Sequence, residues 1–221
     1  MSRGSVDSSV SCTVPTTASG HRGAAQVLQQ YAALLEKDLG RKPRLLVEEI
    51  AAWPPAAYQG DAGLILTAVV PRDGDLVEPE DGKRDEANGG DVFRKGNDPE
   101  DAEWRARDGS RCAAADDAAM QTVGVVVFRR RTSEIAEMKR LFVVPEQRGK
   151  GIGRALVREL VERARLAGYH KVVLDTVDIM PAALHIYRAL GFTQIEAYYD
   201  SPLFKLAKDK DKVMFFEKTL V

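Results

Sequence analysis

The sequence predicts an α/β domain around a central sheet, on three observations: its second half alternates strand with helix, a glycine-rich turn joins a strand directly to a helix, and an acidic stretch stands apart as a long loop. The 221 residues suffice for one core with an appendage. With 44% hydrophobic and 29% charged residues, the chain is not wholly disordered. The best apolar run, Leu64 to Val70, is far shorter than the roughly 20 residues a spanning helix needs, so no membrane partner is expected. Met1 to Gly20 lacks the continuous apolar centre of a secretory signal. Two cysteines, Cys12 and Cys112, in polar, loop-like surroundings exclude a disulfide framework and a four-cysteine zinc site, which points to the reducing cytoplasm and to no metal.

The elements follow in chain order. Residues 1–23 read as a flexible tail. From Ala24 to Leu39, Val27, Leu28, Tyr31, Leu34, Leu35 and Leu39 recur at three-four spacing and predict an amphipathic helix. A second, shorter helix is expected over Leu45 to Ala57, ended near Trp53-Pro54-Pro55, and Leu64 to Val70 reads as a buried strand stopped by Pro71. Residues 71–120 hold 15 acidic and 8 basic residues, a local net of −7, whereas the rest holds 18 acidic and 24 basic, a net of +6. The overall net of −1 therefore hides a basic core behind an acidic insert, and it gives no global signal for nucleic acid. The insert is too polar to bury a core and reads as a disordered loop. Thr122 to Phe128 resumes strand character and should pair antiparallel with Leu64 to Val70, making the insert an enlarged hairpin loop, which closure entropy tolerates. Ile135 to Val144, Val172 to Thr176, Thr193 to Tyr199 and Val213 to Leu220 read as strands, and Gly151 to Ala167 and Pro181 to Leu190 as helices.

The most informative segment is Val143-Val144-Pro145-Glu146-Gln147-Arg148-Gly149-Lys150-Gly151-Ile152-Gly153-Arg154. Glycines at 149, 151 and 153 let the backbone approach a ligand, while the first-turn N–H groups and the helix dipole favour an anion. Arg148, Lys150 and Arg154 add positive charge suited to a pyrophosphate. A P-loop fails because Gly151 follows Lys150 where Ser or Thr is required, and a dinucleotide turn fails because Arg154 or Leu156 stands where its last Gly or Ala belongs. The remaining pattern, Arg148-x-x-Gly151-x-Gly153, resembles the acyl-CoA signature of the GNAT superfamily of N-acyltransferases. Glu137-Met138-Lys139-Arg140-Leu141-Phe142-Val143 is similar to that family's fourth strand, and Ala183 to Phe192 to its closing helix. Met180 stands where many members carry an Asn near the thiol.

The resemblance implies one GNAT-like domain over 24–221, interrupted by the insert, with a mixed, mostly antiparallel sheet flanked by helices. It implies acetyl-CoA as co-substrate, a small-molecule or peptide amine as acceptor, direct attack in a ternary complex, and no nucleic acid; a homodimer is compatible with it. On this reading the backbone of Leu141, Phe142 and Val143 holds the pantetheine arm. Gln147, Arg148, Gly149, Lys150, Gly151, Ile152, Gly153 and Arg154 hold the pyrophosphate, and Ala183 touches the cofactor. Glu137 is the general base and Tyr187 the acid for the leaving thiolate, with Asp175, Thr176 and Tyr199 lining the acceptor side.

Plainer alternatives exist for each. Glu137 pairs with Lys139 or Arg140, Tyr187 packs with Leu190 and Phe192, Asp175 and Thr176 cap a turn, and Tyr199 lies on a sheet edge. His185 reads as a surface residue. Arg129-Arg130-Arg131 reads as a solvated hairpin tip, or as a contact for a CoA phosphate or an acidic acceptor. The competing function is a non-catalytic acyl-CoA-binding or interaction module; a dinucleotide oxidoreductase is disfavoured by the glycine spacing.

Overall fold

A computed structural model describes residues 10–15, 17–40, 42–72, 120–199, 201, 203–206 and 212–220. The chain divides into two units, Met1–Val70 with Gln121–Val221, and Pro71–Met120. Nearly all of the second, with the disorder expected of it, lies outside the described residues, as does Cys112.

Seven strands form one mixed sheet: β1 (Ser11–Thr13), β2 (Gly63–Pro71), β3 (Met120–Arg130), β4 (Ile135–Val143), β5 (Lys171–Val177), β6 (Thr193–Ile195) and β7 (Val213–Thr219), in the order β1-β2-β3-β4-β5-β7-β6. β1 with β2, β3 with β4, β5 with β7 and β6 with β7 are antiparallel, and β4 runs parallel to β5. A parallel neighbour requires a crossover, which here is the helix Ile152–Leu166. Central placement explains the Val-rich β3, whose Val123, Val125, Val126 and Val127 are all buried, because a strand covered on both faces needs no polar alternation.

The helices are α1 (Ala18–Leu39), α2 (Arg44–Ala51), α3 (Ile152–Leu166), α4 (Pro181–Ala189) and the short α5 (Leu203–Leu206). The tail expected over 1–23 is partly structured: residues 11–13 pair with β2, placing Cys12 in a strand, and α1 begins six residues before the expected Ala24. Thr17 caps that helix by accepting from the Gly20 N–H at 3.0 Å. Gly20 and Gly23 hide the helix from a propensity reading. Gly23 has a packing reason: a Cβ there would collide with Thr122 Oγ1 on β3. The second helix ends at Ala51, and a 3-10 turn, Ala56–Tyr58, replaces its expected last stretch after Trp53-Pro54-Pro55. β6 stops at Ile195, short of the expected Tyr199, because the chain leaves the sheet to lay Tyr198 and Tyr199 against Phe215 at 5.3 and 6.0 Å between ring centroids. That packing belongs to a second, smaller apolar cluster of Val177, Val213 and Phe215.

Candidate active site

The site begins with a mismatch between neighbouring strands. In the β3–β4 ladder, Val125 opposes Phe142 but Val127 opposes Lys139, so β4 holds one extra residue. That bulge lies at Arg140, whose φ of 61° makes it the one non-glycine residue with positive φ among those described. On the other side, β4 and β5 stay in register only from Ile135↔Lys171 to Met138↔Leu174, whereas β5 continues against β7 to Val177↔Val213. Beyond Met138 the parallel pair therefore separates. The peptide groups of Leu141, Phe142 and Val143 on that side have no strand partner among the described residues, and an extended amide chain fits such an edge.

Arg140 is held in this conformation from outside the sheet. Its Nε donates to Glu49 Oε2 on α2 at 2.8 Å, its Nη2 donates to the same oxygen, and the Tyr58 hydroxyl donates to Glu49 Oε1. Burial opposes the charge of Arg140, but Glu49 outweighs it and raises its pKa. A buried ion pair thus ties α2 and the turn after it to the bulge.

At the end of β4, Pro145–Gln147 forms a 3-10 turn, and Gly149 and Gly151 adopt φ of 81° and 79° before α3 starts at Ile152. Only glycine takes these angles without strain, which explains two of the three glycines. A Cβ on Gly149 would meet nothing within 4 Å, so the turn faces open space. Gly153 has a packing role, since its Cβ would lie 3.1 Å from Ile186 Cδ1 of α4. Arg148, Lys150 and Arg154 are exposed around the turn. Arg148 donates to the Val143 carbonyl at 3.0 Å and sits 5.3 Å over the Phe142 ring, while Lys150 donates to Gln147 at 2.8 Å. The turn, the helix N-terminus and three cations could hold a diphosphate, and the open β4 edge beside them could take an extended amide arm. Among the described residues, no group of three or more His, Cys, Asp or Glu could hold a metal ion.

The face toward the opening carries a chain of charges. Glu137, fully buried, accepts from Arg129 Nε at 2.7 Å and from the Tyr198 hydroxyl at 3.1 Å, with Lys139 Nζ at 3.0 Å and Arg131 Nη1 at 3.8 Å. Lys139 Nζ continues to Asp175 Oδ1 at 2.5 Å and the Tyr199 oxygen at 2.6 Å, and Tyr199 and Ser201 both donate to Asp175 Oδ2. Burial raises the pKa of Glu137, but Lys139 and Arg129 outweigh it and hold the carboxyl below its ordinary value; Asp175 is lowered in the same way, by Lys139 and then its hydrogen bonds. The sequence makes Glu137 the expected general base; in the structure its oxygens are engaged by Arg129, Lys139 and Tyr198. A carboxylate locked among three cations and held below its ordinary range has little affinity for a further proton. Its alternative, a pair with Lys139, is what the structure holds, with Arg129 in place of Arg140.

Tyr187 on α4 is buried and packs against Phe192 and Phe216, at 5.9 and 6.1 Å between centroids. Burial raises its pKa, followed by the influence of Tyr31 and Asp175, and its hydroxyl makes no hydrogen bond to a described residue. Asp175 and Thr176 part company: alternation along β5 puts Thr176, opposite Met214, on the face away from Asp175 and Glu137. Thr176 is buried there, so it does not join the cluster. Tyr199 does join it. Ala183 is half-buried on α4 and His185 exposed.

Sequence reasoning named Lys139 only as a partner of Glu137 and Arg129 and Arg131 only as a hairpin tip or an anion contact, and it did not join Tyr198 or Ser201 to this cluster. For Arg129 the signal was present: counting back from the Arg131–Glu134 turn places it opposite Glu137, as the register confirms. Tyr198 and Ser201 carried no comparable signal, because an irregular segment brings them in.

The model of the acetyltransferase (GNAT) family matches residues 83–192. An uncharacterized N-acetyltransferase of Schizosaccharomyces pombe is 43% identical over 67 residues, 30% of this chain and 41% of that one. The N-acetylaspartate synthetase of Danio rerio is 35% identical over 98 residues, 44% of this chain and 35% of that one. The chain thus spans about a third to two-fifths of the length of such curated relatives. Among solved structures, an acetyltransferase from Streptococcus agalactiae superposes with a TM-score of 0.60 at 18% identity, covering 97% of this chain and all of that one. A GNAT family acetyltransferase from Elizabethkingia anophelis with acetyl-CoA bound gives 0.54 at 12% identity, covering 97% of this chain and 100% of that one. Both share the fold.

Proposed function

The chain belongs to the acetyltransferase (GNAT) family, and from that premise we propose that it transfers an acetyl group from acetyl-CoA to a primary amine by direct attack in a ternary complex. The observation that carries this reading is the parting of β4 from β5 beyond Met138↔Leu174, continuous with the glycine turn at the start of α3. Acetyl-CoA supplies an activated thioester; the chain supplies everything that orients it. The open edge of Leu141, Phe142 and Val143 holds the amide arm, and residues 147–154 hold the diphosphate. The amine nitrogen bonds to the acetyl carbon, the carbon–sulfur bond breaks, the thiolate leaves with the electron pair, and the amine gives up a proton.

Neither carboxylate of the charged cluster is a base poised near neutrality. Glu137 and Asp175 are lowered and Tyr198 and Tyr199 raised, burial being the largest influence on both tyrosines. The amine therefore reacts from its own neutral fraction, losing its proton to solvent. Glu137 acts as a positioning residue that fixes Arg129, Arg131 and Lys139. Tyr187 keeps its proton. A phenol raised above its ordinary value does not transfer it downhill to an alkyl thiolate, which is the weaker base, so it donates a hydrogen bond to the departing sulfur rather than acting as a full acid. Cys12 is unsuited to a covalent acetyl-enzyme: burial first and Glu159 second push its thiol up to about 12. We assign the reaction to the cytoplasm, in keeping with an unpaired Cys12.

The test is a thermal-shift titration with acetyl-CoA beside an acetylation assay over an amine panel. Saturation at a hundred times the Kd should stabilise by about 2.7 kcal/mol. Unchanged melting at millimolar acetyl-CoA sinks the reading, and binding without turnover of any amine favours a non-catalytic module. kcat/KM should rise tenfold per pH unit up to the amine's own pKa, and an enzyme inflection near pH 7 would restore a side-chain base.

A further inference from the structure

The arginine run at the β3–β4 turn is not consumed by the transfer chemistry. Arg129, Arg130 and Arg131, with Thr132, Glu137 and Asp61, line an open pocket of about 820 Å³. Two carboxylates face three guanidinium groups. Arg129 commits its Nε to Glu137, and its terminal nitrogens bond to no described residue. Arg131 is stacked on the rings of Tyr198 and Tyr199 at 4.5 and 4.9 Å, and its Nη2 donates to the Tyr198 carbonyl at 3.3 Å. This side chain is rigidly held yet partly exposed, with 27% of its surface open. Such a guanidinium is set up to receive a planar anion.

The pocket lies at the end of β4 away from the diphosphate turn. Glu137 and Val143 are six residues apart on that strand, about 20 Å at 3.3 Å per residue, which excludes the arginines from contact with the diphosphate. They stand on the acceptor's side of the opening. From them the links Glu137–Lys139 (3.0 Å) and Lys139–Asp175 (2.5 Å) lead to the mouth where β4 and β5 part. Glu137 lines the pocket beside the arginines, so a ligand seated there meets cations and a carboxylate together.

We propose that the acceptor amine carries a carboxylate, and that Arg131 with the terminal nitrogens of Arg129 binds it while the amine lies on the Glu137 side of the pocket, toward the opening between β4 and β5. A zwitterion matches that combination of charges and a simple alkylamine does not. The inference rests on the transferase reading given above.

The experiment compares L-aspartate, L-leucine and L-phenylalanine with their carboxamides as acceptors, at saturating acetyl-CoA, in the wild-type protein and in Arg131→Gln and Arg131→Lys. The free acids should be preferred in kcat/KM. Arg131→Gln should raise their KM about 10- to 100-fold more than it raises that of the carboxamides, with the KM of acetyl-CoA unchanged. Arg131→Lys, which keeps charge but not the two-pronged geometry, should fall between. Equal or better use of the carboxamides, or an acceptor KM indifferent to Arg131→Gln, overturns the proposal. Titration calorimetry of the same acids into CoA-saturated protein gives a readout free of turnover; absence of carboxylate binding there, together with absence of carboxylate-dependent turnover, also overturns it. Failure to bind acetyl-CoA refutes the transferase reading instead, whereas intact cofactor binding with a preference for neutral amines refutes only the carboxylate.

Discussion

Replacing Glu137 with Gln separates a base from a structural anion. The carboxylate is fully buried and holds Arg129, Lys139 and Arg131 at 2.7, 3.0 and 3.8 Å. Removing one partner of a buried pair costs about 3–5 kcal/mol. Two features lower that figure: Arg129 and Arg131 keep 41% and 27% of their side-chain surface in water, and Lys139 retains Asp175. A loss of about 2–4 kcal/mol at pH 7 remains, which for a domain of this size lowers Tm by about 5–15 °C. The pH dependence carries a sign. A carboxyl lowered in the folded state adds stability that is fully present above its unfolded value of 4.5 and is lost as pH falls through the lower folded value. The wild-type and Gln proteins should therefore converge as pH drops below 4.5, measured by calorimetry from pH 7 to 3. A Tm difference under about 2 °C at pH 7, or one independent of pH, would refute the ion-pair account.

Three further outcomes are expected. Gly151→Ala forces an L-residue to φ of 79° and should cost about 1–2 kcal/mol while raising the KM of acetyl-CoA; unchanged stability in urea would contradict the turn geometry. Tyr187→Phe should leave Tm nearly unchanged, since its hydroxyl bonds to no described residue, and lower kcat about 3- to 30-fold; equal kcat assigns the ring to packing alone. Cys12, with its thiol at about 12, should be recovered unmodified by peptide mapping after iodoacetamide at pH 7.5, and rapid alkylation would show the strand open.

Much of the fold was legible because its signals are local. The Val run of β3, the three-four spacing of α1 from Ala24 onward and the glycines before α3 each report a period or a backbone angle that a short window contains. The residues before Ala24 were not legible: Gly20 and Gly23 argue against a helix, and only the approach of α1 to Thr122 explains Gly23. The glycine turn before α3 could be read whole, since it is one contiguous segment.

What the chain's order of residues determined by itself is the geometry proposed to hold the cofactor, because turn, glycines and helix N-terminus follow one another in sequence. The charged cluster was decided only by tertiary structure. Arg129, Glu137, Asp175 and Tyr199 come from three strands and an irregular segment, and their charges and protonation depend on distances of 2.5 to 3.1 Å that no spacing encodes. Glu137 could be named from the sequence, but whether it accepts a proton or anchors three cations depends on which side chains folding packs around it.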